Sequence, residues 1–108
     1  MVAARDRVEI DVIDHRKPEV SLPHPGVVLR VEGGVAVVVA MGTGSERALP
    51  RVRVEARTRE AIALGLSKDT YFYRSNIFVV PVEKVRPARG RCPPNVYIEL
   101  IALADAEP

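Results

Sequence analysis

Gly33-Gly34 stands between two aliphatic runs, Val27–Glu32 and Val35–Met41. Glycine accepts the positive φ of a tight primed turn without steric cost, and β-branched residues favour extended backbone. This stretch therefore predicts a β-hairpin. The second run is apolar at every position from Val35 to Met41. A strand that is apolar on both faces belongs in the middle of a sheet, covered on each side. A chain carrying such a strand must build a β-core around it. With three Tyr, two Phe and no Trp in 108 residues, that core has to be made of Val, Ile, Leu and Ala. This length is one domain, 1–108, with interior for a single core.

Other segments read around that hairpin. Val8-Glu9-Ile10-Asp11-Val12-Ile13 alternates with the period of a half-buried strand. Residues 1–7 are small and charged and are expected to fray. Asp14 to Pro25 holds Pro18, Pro23 and Pro25 and reads as a loop. Gly42-Thr43-Gly44-Ser45 ends the central strand. Arg51-Val52-Arg53-Val54-Glu55 predicts a strand with one charged face, and Thr58 is placed to cap a short helix that Gly65 stops. Asp69–Arg74 and Asn76–Val80 predict two further strands, and Pro81 opens one tight helical turn. Residues 86–94, rich in Pro and Arg, read as a connector. Asn95–Ala104 reads as a helix, with strand as the competing reading because Val96, Ile98 and Leu100 also alternate. Five or six short strands with a small helix predict a mainly β fold, an SH3-like barrel closed on itself.

Composition narrows the function classes. The formal net charge is +2, so the whole chain is not a polycation for nucleic acid. Of sixteen cations three are Lys (Lys17, Lys68, Lys84), leaving thirteen Arg, whose planar forks match phosphate and carboxylate. The single cysteine, Cys92, excludes an intrachain disulfide and predicts a reducing, cytoplasmic home. Charges at Arg5, Asp6, Arg7 and Glu9 interrupt any leader-like apolar run, and the longest apolar run is too short to cross a bilayer. Two His and one Cys without ligand spacing predict no metal and no cofactor.

The order of features resembles the PemK/MazF family of toxin endoribonucleases. The resemblance rests on His24-Pro25-Gly26-Val27-Val28-Leu29, then Val37 to Thr43, then Gly65-Leu66-Ser67-Lys68 running into Thr70-Tyr71-Phe72. It continues through Ile77 to Val85 with its Val-Pro-x-x-x-Val turn, and Gly90. It spans roughly residues 20–104 in order and spacing, while residues 1–19 match the family poorly. It implies an SH3-like barrel with a C-terminal helix and a homodimer restrained by an antitoxin protein. The implied activity is metal-independent cleavage of single-stranded RNA, in which the 2′-OH attacks the adjacent phosphate. A group must take the 2′-OH proton, another must protonate the leaving oxygen, and donors must meet the charge on the phosphorane.

The resemblance then assigns candidate residues. Thr43 stands where the family has a Thr; its hydroxyl holds a phosphate oxygen or satisfies its own glycine-rich turn. His24 stands where active members carry Arg. Imidazole can move a proton but lacks the bidentate grip of guanidinium. Arg74 falls in Tyr73-Arg74-Ser75-Asn76, where one branch of the family places an Asp, and is a candidate phosphate contact. Tyr71 and Tyr73 share a strand face and either stack on RNA bases or pack in the core or a dimer interface. Arg51, Arg53 and Arg57, on one strand face and its exit, form a basic stripe for RNA or a solvated face. His15 lies in an unmatched loop. The missing Arg and Asp keep a second class open: a non-catalytic barrel that binds RNA or a protein.

Overall fold

The computed structural model describes residues 2–14, 17–46 and 50–105, with backbone alone at 12–14 and 17–22. His15 lies outside the described residues. The strands are β1 (Asp6–Asp14), β2 (Lys17–Glu32), β3 (Ala36–Thr43), β4 (Arg51–Val54), β5 (Thr70–Pro81) and β6 (Val85–Arg91). Helix α1 (Arg59–Ala63) precedes β5, a 3-10 turn (Val82–Lys84) precedes β6, and helix α2 (Pro94–Asp105) follows it. All strand pairs are antiparallel, in one sheet of order β4-β5-β3-β2-β1-β6. No pairing joins β4 to β6 among the described residues. The fold is thus mainly β with a C-terminal helix. No helix among the described residues is long and apolar enough to cross a membrane.

The hairpin forms where the glycines place it. Gly33 and Gly34 take φ of 58° and 72°, and the Val35 amide donates to the Glu32 carbonyl (3.1 Å). β3 lies inside the sheet, and its side chains alternate between two cores. Val38 and Ala40 join Val27, Leu29, Phe72 and Leu100 beneath α2, with Val52, Val54 and Leu64. Val37 and Val39 join Val8, Ile10, Val28 and Val85 on the opposite face. No α-helix among the described residues contributes to that second cluster. The caps also form as read. Thr58 Oγ1 accepts from the Ala61 amide (3.2 Å), and Gly65 at φ 66° ends the turn.

Four expectations are corrected. Much of the 14–25 stretch is not a loop: β2 begins at Lys17 and pairs with β1 through Pro23 and Pro25. These prolines sit two apart, so their nitrogens face the same edge. The pairing with β3 starts only at Gly26, so that edge needs no donor there. The 86–94 connector is largely β6, which pairs with β1 and stands at the end of the sheet order. Residues 2–7 are tied down rather than frayed. Val2 is buried, the Arg5 amide donates to the Val28 carbonyl (2.7 Å), and the Arg5 carbonyl accepts from the Cys92 amide (2.8 Å). The helix reading of residues 95–104 holds, with Val96, Leu100 and Leu103 buried.

The runs 69–74 and 76–80 are one strand with a large irregularity. β3 and β5 pair at Ala40↔Ile77 and again at Gly42↔Phe72, so four β5 residues, Tyr73 to Asn76, stand opposite Met41 alone. The bulge bends β5 between its two partners. It also buries the Asn76 side chain, whose Nδ2 finds no acceptor among the described residues, a cost of about 1–3 kcal/mol.

Candidate functional site

His24 sits within β2 between two prolines, and Thr43 is the last residue of β3. The two strands deliver both side chains, half-buried, to one hollow of about 280 Å³. Gly44, Lys68 and Thr70 complete its wall with Pro23 and Pro25. Among the described residues no carboxylate lines it. Its polar contributors are an imidazole, two hydroxyls, an ammonium and the backbone at Gly44, a set suited to an anion.

Local packing fixes these groups. Gly42 lets β3 approach β5 closely: a Cβ there would lie 2.6 Å from Thr70 Cγ2 and 3.2 Å from Phe72 Cε1. Thr43 is thereby held opposite Tyr71. Thr43 Oγ1 accepts from the Ser45 amide (3.2 Å), the turn bond expected of such a residue. Its own proton remains to be donated outward. Thr70 donates to the Lys68 carbonyl (3.1 Å), tying the base of Lys68 to β5. A Cβ on Gly44 would lie 3.8 Å from Lys68 Nζ, so the ammonium stands over the turn that follows Thr43.

Arg74 is exposed at the β5 bulge and is not among the residues lining this hollow. Arg51, Arg53, Tyr71 and Tyr73 do come together, but on one another. Arg51 is opposite Tyr73 and Arg53 opposite Tyr71 across β4 and β5. The tyrosine rings are stacked 6.5 Å apart, and both guanidinium groups lie within 6 Å of the Tyr71 ring centre, at 5.3 and 5.9 Å. At 6 % and 4 % exposure, the rings leave no open face for a base. Their hydroxyls hold the loop after Thr43: Tyr73 donates to the Ser45 carbonyl (2.8 Å) and Tyr71 to Glu46 Oε2 (3.3 Å). Arg51 adds a 2.8 Å ion pair to Glu46. The tyrosines are thus buried against the loop after Thr43, and the four residues form a clasp on it.

Beside the clasp, Asp69 accepts from the Ala56 amide (2.8 Å) and from Arg53 (3.2 Å). The amide first and the guanidinium second hold its carboxyl below the usual range. Cys92 is fully buried, and burial pushes its thiol up to about 11, which removes it as a nucleophile.

The residue that sequence reading passed over is Lys68. It was visible only as part of Gly65-Leu66-Ser67-Lys68, and nothing local marks its approach to a turn more than twenty positions away. The chain matches no known protein-family model and no curated protein.

Proposed function

We propose that this chain is a metal-independent endoribonuclease for single-stranded RNA, of the PemK/MazF type, working from the His24–Thr43 hollow. The observation that carries the reading is the meeting of these two side chains, from separate strands, in one concavity whose described lining holds no carboxylate. His24 takes the 2′-OH proton. The 2′ oxygen bonds to phosphorus, and the bond to the 5′ oxygen breaks, leaving a 2′,3′-cyclic phosphate. The Thr43 hydroxyl donates to the phosphorane oxygen as charge builds. The departing 5′ oxygen is protonated from solvent at the mouth of the hollow. By its resemblance the enzyme acts as a cytoplasmic homodimer with an SH3-like barrel, and an antitoxin restrains it.

The test is a gel assay of single-stranded RNA with chelator present. Wild-type protein should cleave, and His24→Ala and Thr43→Ala should each lose at least about a hundredfold in rate while melting normally. Undiminished cleavage by both variants sinks the assignment.

A second reading, a non-catalytic barrel that binds RNA or protein through the same rim, draws on the clasp. It leaves Arg51, Arg53, Tyr71 and Tyr73 engaged internally, and Arg74 stands apart. Harmless high-level expression with RNA binding but no cleavage would favour that reading.

A further inference from the structure

The hollow has a neighbour of about 260 Å³, lined by Arg7, Glu9, Leu66 and Ser67. The two share Pro23, Pro25, Lys68 and Thr70 as a common wall. Each is below the ~300–1,000 Å³ of a typical small-molecule pocket, so a ligand of ordinary size would occupy both.

The cations around this wall differ in one respect. Arg7 is buried, and its charge is already met. Its Nε donates to the Leu64 carbonyl (2.9 Å), its Nη1 to the Val8 carbonyl, and its Nη2 pairs with Glu9 (3.2 Å). Lys68 is exposed and has no carboxylate partner among the described residues. Its backbone is fixed by Thr70, and its ammonium is aimed at the Thr43–Gly44 turn. An uncompensated ammonium on a wall between two concavities attracts an anion that has substance on both sides. An internal phosphodiester has that form, with one nucleotide unit on each side, whereas a terminal or free phosphate fills one side only.

We propose that the two hollows form a single track for two successive nucleotides of single-stranded RNA, with the phosphodiester between them held by Lys68. The inference rests on the RNA reading above and adds the substrate's path and its principal cation. Thr43 and Gly44 meet the phosphate from one side. Arg7, fixed by Glu9 and Leu64, shapes the far hollow.

The experiment measures binding, so that it stands apart from cleavage. The probe is a fluorescent RNA hexamer, 2′-O-methylated throughout, titrated by anisotropy over a salt series. Lys68→Gln should weaken binding roughly tenfold at low salt and flatten the plot of log K against log salt by about 0.7, as expected for one lost single-strand phosphate contact. Lys68→Arg should restore most of both. Ser67→Glu, which brings a like charge into the far hollow, should also weaken binding, and millimolar inorganic phosphate should not displace the hexamer. Each variant is first shown to melt as wild type does. If the wild type binds but Lys68→Gln keeps its affinity and salt slope, the assignment of Lys68 is overturned. If Ser67→Glu has no effect, or inorganic phosphate displaces the hexamer, the two-unit track is overturned. If the wild type binds no RNA, the RNA reading itself fails.

Discussion

At the scale of single residues, the site depends on a missing side chain. Gly42 carries no Cβ, and the three atoms nearest to where one would stand belong to Thr70 and to the buried Phe72 ring. Neither is the free end of a flexible chain. Gly42→Ala should force β3 from β5, cost about 1–3 kcal/mol in chemical denaturation, and shift Thr43 enough to depress RNA cleavage beyond the loss of folded protein. Gly44→Ala is the control: its Cβ would meet Lys68 Cε at 3.7 Å, an ordinary contact, and its stability should match wild type. Equal stability of the two variants would refute the packing argument. His24 and Thr43 were legible as candidates because the resemblance places them where the PemK/MazF family carries Arg and Thr, beside the Pro and Gly that punctuate their strands. Lys68 carried no such mark; its role comes from a fold that brings it to Gly44.

At the scale of elements, β4 and the first half of β5 act as a clamp. Their face opposite Val52, Val54 and Phe72 carries Arg51, Arg53, Tyr71 and Tyr73, and the clamp's grip is on Ser45 and Glu46. Tyr73→Phe removes one hydroxyl bond and keeps the ring. The expected cost is about 0.5–1.5 kcal/mol. Amide exchange at Gly44–Glu46 should quicken, while exchange at Ala56, held by Asp69, stays as it was. Unchanged exchange at the loop would mean that the clamp does not set its position. The elements legible in the sequence were those with a local signature: the Gly33-Gly34 turn, the doubly apolar β3, and the Thr58 cap. The start of β2 and all of β6 were hidden because proline and arginine argue against strand wherever both edges need donors. Here each prolyl segment pairs on one side, through β1. The Arg and Pro of β6 also discourage further pairing at the sheet's end.

At the scale of the whole molecule, stability rests on two clusters that share the sheet as a common wall. Cys92 reports on the larger one. Its thiol is raised from 9.0 to about 11 by burial, partly offset by Arg5. An unfolded chain ionises this thiol first. The contribution of the neutral buried thiol is therefore complete below pH 9 and is lost as pH rises through about 11. Wild-type unfolding free energy should fall more steeply across that window than that of Cys92→Ala. Parallel curves would show that the thiol is not sequestered.

β1 is flanked by β2 on one side and β6 on the other, and β6 lies some seventy residues further along the chain. During translation β1 and β2 leave the ribosome long before residues 85–91 emerge from the exit tunnel. Until then the outer side of β1 is an unprotected pairing surface. The sheet is therefore completed only once residues 85–91 have emerged, and a nascent chain halted before that point would be prey for chaperones and proteases rather than a working protein.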